Sequence, residues 1–381
     1  AVLAGLGYAI GASVDPDVGG SLGLLAAVVI WTIMMLTNLL AGEQILLASA
    51  GARELNREEA PQLFNIVEEM KIASGLPVLP RVYLIGSDTP NAFAVGLNSK
   101  RAAVAVTTGL LSRLNRDELQ GVIAHELGHI SNRDTLFMTL AGVTLGAVIL
   151  LADLYLRGMF RAGRGRRSSK SEGQLAAIMM IVALVLAILA PLLAQLLYFA
   201  CSRRREYLAD ASAAQFTRYP EGLASALEKI ALQPGGRLEV SRALAPMFIV
   251  NPLAAHGSAL SLFSTHPATE DRIRVLRGMA SGSSLAAYEE AFRSAHGNRG
   301  IVGARSLQGA EETGIRAATA EPPPVPGAQR REARDLQHKA NGLSVVTCPC
   351  GVRFKIPPGF PDPSFNCPRC GTRHEIPGKQ P

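Results

Sequence analysis

His125-Glu126-Leu127-Gly128-His129 is the stretch that decides this chain. It lies in a run from Arg116 to about Asn132 whose pattern predicts a helix. Asn115 is placed to cap that helix, Glu118 falls at the third position to close a capping box, and Leu114 and Leu119 stand where a hydrophobic staple would sit. Residues four apart on a helix lie one above the other on the same face. Both imidazoles can therefore converge on one ion, with Glu126 beside it as a proton acceptor and not a ligand. The plainer alternative is a pair of partly buried histidines on an amphipathic helix, so the reading needs support from the rest of the chain.

The five residues have the HExxH arrangement in which two histidines bind zinc and the glutamate acts as general base. The chain of 381 residues has room for two or three domains. It is 48% hydrophobic and only 18% charged, which excludes a purely soluble enzyme. A net charge of +7 suits nucleic acid or an anionic membrane surface equally, and the apolar runs decide for the membrane. Five cysteines, four of them clustered near the C-terminus, argue against a secreted disulfide scaffold and for a reducing compartment.

Residues 1–12 are apolar but too short to cross a bilayer, which takes about 20 residues. With no leading Met and no basic n-region, a cleavable signal peptide is not expected, and the first span is expected to begin before Ala1. Ser13 to Gly20 reads as a short acidic loop and Leu22 to about Ala41 as a full span. Two further apolar runs, Leu136 to about Leu156 and Leu175 to Ala200, form a hydrophobic hairpin, with a kink expected at Pro191. The expected organisation is a membrane region over 1–42, a soluble domain over 43–294 interrupted by the hairpin 136–200, a linker over 295–343 and a small module over 344–381.

Within the soluble part, Pro61 to Ser74 carries Leu63, Ile66, Val67 and Met70 on one helical face. Arg81 to Ile85 reads as a strand, and Asn91 to Leu97 with Ala102 to Thr108 as a hairpin about Asn98–Arg101. Asn91, Ala92, Phe93 and Ala94 form a candidate edge on which an extended peptide could pair its backbone, with an ordinary core hairpin as the alternative.

A catalytic zinc needs three protein ligands and an open position. Glu206, in Arg203-Arg204-Arg205-Glu206-Tyr207-Leu208-Ala209-Asp210, is the candidate third ligand, although it could equally be a surface carboxylate paired with Arg203. Asp210, one turn on, is placed to accept the second N–H of a ligand histidine. His266, after Ser264-Thr265, and Arg272 could each donate to a developing oxyanion or be structural polar residues. Residues 321–326 read as a stiff Pro-rich linker. Cys348-Pro349-Cys350 and Cys367-Pro368-Arg369-Cys370, each followed by Gly, have the look of a zinc ribbon whose four thiolates would close around a structural ion. The few basic residues there, with Phe354, are a thin basis for nucleic-acid binding.

These motifs together resemble the HtpX-type membrane zinc metalloproteases, relatives of the CAAX prenyl proteases, over roughly residues 20–280. Asn91 to Ala94, the HExxH helix with Asp134 after it, Glu206 with Asp210, and Ser264 to Pro267 with Arg272 occur in the family's order. The resemblance implies a mainly α membrane protein: transmembrane helices plus a zincin-like α+β domain with a small strand hairpin, to which this chain adds a small C-terminal zinc ribbon. It implies zinc on His125, His129 and Glu206, Glu126 as base, and Asp210 and Asp134 behind the ligands. His266 and Arg272 would lie near the tetrahedral intermediate, and Asn91 to Ala94 beside the peptide. It further implies misfolded membrane proteins as substrates and a catalytic domain facing the cytoplasm from the inner membrane. Arg53, Arg57 and Arg203–Arg205 fit that orientation, whereas the basic stretch Arg157 to Lys170 would lie outside if the hairpin crosses fully, against the positive-inside rule. Two alternatives remain: processing of lipidated C-termini by the same chemistry, or a membrane-tethered module whose ribbon captures a protein partner.

Overall fold

The computed structural model describes residues 2–15, 17–162, 173–232, 249, 266–280, 282–303, 307, 313–319, 328–340, 343–357 and 360–376. Ser264, Thr265 and the Pro-rich stretch 321–326 lie outside them, as does most of the basic loop after Arg157.

The protein is mainly helical, and three of its helices are long and apolar enough to cross a membrane. These are α2 (Gly19–Ser49), α6 (Asp134–Ala162) and α7 (Gly173–Thr217), preceded by the shorter α1 (Val2–Val14). The outward faces of α2 carry Leu22, Leu25, Ile33 and Leu40, which suits a lipid surround in which backbone groups must be satisfied within the helix. Small residues set the α1–α2 contact. A Cβ added to Gly11 would stand 1.9 Å from the Gly19 carbonyl, and one on Gly23 would stand 2.2 Å from that of Gly7, so the two backbones touch. Trp31 ties α2 to α6 by donating from Nε1 to Thr144 Oγ1 at 3.1 Å.

The expected spans fall inside these helices, with two differences. The predicted loop Ser13–Gly20 is shorter, because α1 runs on to Val14 and Asp15 Oδ1 accepts from the backbone N–H groups of Asp17 and Val18 before α2 begins. More important for the site, α7 does not end at Ala200 but continues to Thr217, with Pro191 inside it. The segment with Glu206 and Asp210 is the continuation of a membrane helix.

The soluble part is a mixed α+β core. Its sheet has the order β1 (Ala52–Glu54), β2 (Arg81–Ile85), β4 (Arg101–Thr107), β3 (Ala92–Asn98). β2 and β4 are parallel and the other pairs antiparallel. Strand alternation divides the sheet's side chains. Val82, Leu84, Val104 and Val106 enter the main core, whereas Tyr83, Phe93 and Val95 pack on the opposite face against Leu47 at the end of α2. The main core also holds α3 (Pro61–Ala73), the short α4 (Thr108–Leu111), α5 (Arg116–Ser131), α8 (Pro220–Leu232), α9 (Thr269–Arg277) and α10 (Leu285–Ala295).

Helix α5 runs through the middle of this core, and its expected start is present in full. Asn115 Oδ1 accepts from Glu118 N and Glu118 Oε2 accepts from Asn115 N, both at 2.9 Å. Glu118 also accepts from Ser225 and Lys229 on α8, at 2.7 Å each. Two glycines let α5 approach its neighbours. A Cβ on Gly121 would lie 2.7 Å from the backbone nitrogen of Leu223 in α8, and one on Gly128 would lie 3.3 Å from the Ala209 carbonyl in α7.

Between Arg299 and Gly342 the chain is more than the plain linker its fading periodicity suggests. Thr313–Thr319 straps the start of α5. Arg316 donates to Asp117, Gln120 and the Thr217 carbonyl and stacks on Tyr219, while Thr319 donates twice to Asp117. These charge-assisted bonds hold Asp117 below the usual carboxylate range despite its burial. A further helix, α11 (Ala328–Ala340), packs Ala333 and Leu336 against the core, and Gln329 donates to the Leu114 carbonyl. None of these partners is near in sequence, which is why periodicity did not announce them. Two hairpins follow, β5 (Ser344–Thr347) with β6 (Arg353–Ile356) and β7 (Ser364–Asn366) with β8 (Arg373–Glu375).

Gly121→Ala is expected to push α8 from α5 at a cost of about 1–3 kcal/mol, the usual range for overpacking. A thermal unfolding midpoint equal to wild type in the same detergent would show that the crossing tolerates a methyl group.

Candidate active site

Helix geometry alone brings His125 and His129 together on one face of α5, with their Nε2 atoms 3.2 Å apart. Each ring is fixed from behind through Nδ1. Asp210 Oδ1 stands 2.9 Å from Nδ1 of His125, and Asp134 Oδ2 stands 3.0 Å from Nδ1 of His129. A proton on each Nδ1, donated to its carboxylate, leaves both Nε2 lone pairs facing one another. The third group is Glu206 from α7, with Oε1 3.4 Å from His129 Nε2 and Oε2 3.6 Å from His125 Nε2.

Three electron-pair donors thus converge, His125 and Glu206 buried and His129 partly so, with their ligand atoms within 4.8 Å of one another. A four-coordinate zinc with legs of about 2.0–2.1 Å spaces its ligand atoms about 3.3 Å apart, close to the separations found. Burial disfavours a charged His125, yet the Asp210 and Glu206 carboxylates outweigh it and raise its pKa. The same excess of negative charge favours a divalent cation at the convergence. The donor set therefore fits zinc.

Glu126 follows His125 on the helix and is almost wholly buried beside the metal ligands. Burial raises its carboxyl above the usual range, with His125 and His129 opposing. Its Oε1 has no hydrogen-bond partner among the described residues, so it is free to accept a proton from a water in the cleft.

Each supporting aspartate is itself held by an arginine. Arg272, 1% exposed, donates to both oxygens of Asp210 (2.8 and 2.6 Å) and to the Ile249 carbonyl at 3.0 Å, and its Nη1 lies 3.3 Å from Glu206 Oε2. Arg205 donates to Asp134 and stacks on Phe137. Of the two roles the sequence offered Arg272, oxyanion donor or structural polar residue, its guanidinium carries a structural one, bracing a carboxylate behind His125. Arg205 was read only as part of a basic run, and its partner lies 71 residues away, so no local pattern could have singled it out. His266 lies at the site, with Nε2 3.6 Å from Glu206 Oε2, and burial lowers its pKa so that it is a neutral imidazole.

The candidate substrate strand β3 is the edge of its sheet. Thr107 N donates to the Asn91 carbonyl, so antiparallel alternation turns Asn91 and Phe93 toward β4 and the backbone of Ala92 and Ala94 outward. The Ala92 carbonyl accepts from Ile249 N at 3.0 Å, while Ala94 lines the same cleft as Glu126 and His129. The Phe93 side chain is fully buried on the sheet's far face, so it supports the strand and does not reach the cleft.

The four C-terminal cysteines sit in the two hairpin turns. Gly351 and Gly371 each adopt positive φ (86° and 72°), and the backbone N–H of each turns back to the first cysteine's carbonyl. Cys348 Sγ is 3.3 Å from Cys370 Sγ and Cys350 Sγ 3.6 Å from Cys367 Sγ. Four thiolates around one zinc at about 2.3 Å would lie about 3.8 Å apart, so the cluster is close to a tetrahedral set even though its first pair has one intervening residue. Cys201 is exposed and apart from it.

The profile of Peptidase family M48 matches residues 57–280, a stretch that ends before the strap, α11 and the cysteine cluster. A protease HtpX homolog from Dictyoglomus turgidum is 49% identical over 263 residues, covering 68% of this chain and 83% of that protein. Another, from Thermoanaerobacter pseudethanolicus, is 48% identical over 261 residues, covering 68% and 86%. Among solved structures, the crystal structure of Ste24p from S. mikatae is similar at a TM-score of 0.45 and 20% identity, and the match spans 66% of this chain and 57% of that one.

Asp210→Asn is expected to keep the fold but weaken zinc binding about 10–100-fold, as loss of a carboxylate behind a ligand histidine does. A competition titration with a fluorescent chelator measures it, and unchanged affinity would mean that the Asp210–His125 contact does not tune the ligand.

Proposed function

The chain belongs to peptidase family M48 and is a membrane-embedded zinc-dependent endopeptidase of the HtpX type; from that premise we propose that it cleaves misfolded membrane proteins at the cytoplasmic face of the inner membrane. The observation that carries the reading is the joint origin of the metal site. Two ligands come from a soluble-domain helix, and the third comes from the end of a membrane helix. A site built that way works where a membrane protein's chain emerges from lipid. Arg53, Arg57 and Arg203–Arg205 flank the domain on one side of the spans, which supports a cytoplasmic placement.

Zinc, when bound, supplies Lewis-acid chemistry: it polarises the scissile carbonyl and makes water nucleophilic near neutral pH. The protein's residues do the rest. His125, His129 and Glu206 hold the ion, and Asp210 with Arg272 and Asp134 with Arg205 keep the two rings in the right tautomer and orientation. Glu126 takes the proton of the attacking water and delivers one to the leaving amine, a role that its raised pKa supports. His266, whose Nε2 lies near Glu206, would donate to the oxyanion, with Arg272 acting as a positioning residue. The outward backbone at Ala94, with Ala92 and Asn91 behind it, would pair with an extended substrate, as edge strands do. The four cysteines would hold a second, structural zinc that fastens the two C-terminal hairpins to each other, and the module they form is a place for a protein partner to dock.

Glu126→Gln in detergent-purified, zinc-loaded protein is expected to abolish cleavage of casein or a model membrane protein while zinc stays near two per chain, since the base is removed and the ligands are not. Equal turnover of wild type and variant would remove Glu126 from the mechanism. Cys367→Ser is expected to lower the zinc count from two to one per chain while the HExxH site stays loaded. A count of one in the unmodified protein, lost with His129→Ala and not with Cys367→Ser, would remove the structural zinc.

A further inference from the structure

A cleft of about 470 Å³ leads away from the metal ligands into the membrane helices. Glu126, His129 and Glu206 line its near end, Ala94 of the edge strand lines its side, and Met138, Gly142, Leu145, Tyr198 and Phe199 are among the residues that line the rest. Leu145 is eleven residues beyond Asp134 on α6, so at 1.5 Å per residue the cleft reaches about 16 Å along that helix. Polar groups gather at the metal end, where Asp134 and Arg205 are paired with each other. Away from that end the lining is mainly apolar, with Asn38 and Thr139 as polar side chains among it. Protein interiors are close-packed, and a cavity of this size beside catalytic groups falls in the range of ligand sites.

No close contact among the described residues requires glycine at 142, which lies inside α6 with a φ that is not positive. A Cβ there would meet only Tyr198 Cε2, at 3.9 Å, which is ordinary contact. One turn on, Gly146 is different: its Cβ would crowd Met34 at 3.1 Å, so packing accounts for it. At 142 the missing side chain leaves open the cleft that runs between α6 and α7.

We propose that this cleft receives a large apolar side chain next to the scissile bond, and that Gly142, with Met138 and Tyr198, sets the size of residue it takes. The inference rests on the endopeptidase reading and adds its specificity. A substrate strand paired along β3 at Ala94 would direct alternate side chains toward α5 and the cleft, because strand side chains alternate. The preferred substrates are then segments with Leu, Phe or Met at that position, the residues that a misfolded membrane protein exposes.

The test uses the full chain, zinc-loaded in detergent, with peptides identical except for Ala, Phe or Asp at the residue beside the cut, read by mass spectrometry. Wild type is expected to favour the Phe peptide over Ala and Asp by about ten-fold or more, the scale on which an apolar pocket discriminates. Gly142→Leu is expected to lose more on the Phe peptide than on the Ala peptide, so that the Phe-to-Ala preference falls about ten-fold, again the worth of a filled pocket. Met138→Ala, which enlarges the cleft, is expected to shift preference toward larger residues and guards against a Gly142 variant that fails to fold. Equal rates on Phe and Ala peptides in wild type, or unchanged preference in both variants, would overturn the pocket while leaving the protease intact. A wild type that binds zinc and cuts none of the peptides, nor casein, would bring down the endopeptidase reading and the pocket with it.

Discussion

The close crossing of α5 over α7 is the constraint on which the rest depends. Gly128 has no side chain, so α5 can lie against the backbone of α7 at Ala209. That contact fixes the register between the two helices: Glu206 comes level with His125 and His129, and Asp210, one turn on, comes level with the back of His125. His125, Glu206 and Asp210 are buried by one packing decision, with the partly exposed His129 beside them. Neither carboxylate would be tolerable alone, since a buried unpaired carboxylate costs several kcal/mol. The arginines resolve this by neutralising the aspartates, and a cation would complete the balance at the ligand atoms.

The crossing also explains why the site cannot be separated from the membrane. α7 carries Glu206 and is the same helix that packs Ala187 and Ala190 among the membrane helices. α6 opens on Asp134, the group behind His129, and then descends past Gly142 and Val148. A tilt of either helix in the bilayer would move a carboxylate against a histidine. Activity in this architecture is thus coupled to the packing of α2, α6 and α7, and a detergent that loosens those helices should disturb the metal site before it unfolds the soluble core.

What the sequence disclosed and what it withheld divide by the range of the interactions. The HExxH face, the Asn115–Glu118 capping box and the hairpin about Asn98 to Arg101 are local: each depends on residues within five or so positions, and each was legible. The three spans were legible because length and apolarity alone identify them. Glu206 was ambiguous by itself, a carboxylate beside arginines, and only the order of motifs favoured it. The Arg205–Asp134 pair, the Arg272 brace on Asp210 and the opposite orientation of Phe93 were not legible, since each is decided by which helix or sheet face lies against which. The continuity of α7 through Cys201 was missed for a related reason: composition changes from apolar to basic there, while the helix does not notice the change.

The strap from Thr313 to Thr319 belongs to the same logic at longer range. Arg316 joins the first turn of α5, through Asp117 and Gln120, to the last turn of α7, through the Thr217 carbonyl. These are the far ends of the two helices whose crossing makes the metal site. The strap lies beyond residue 280, where the family match stops. A bridge of this kind restrains the splay of α5 from α7 without touching zinc or substrate. Its charge-assisted bonds have partners on both helices, so loosening one end leaves Asp117 buried with fewer donors, and the two ends must yield together.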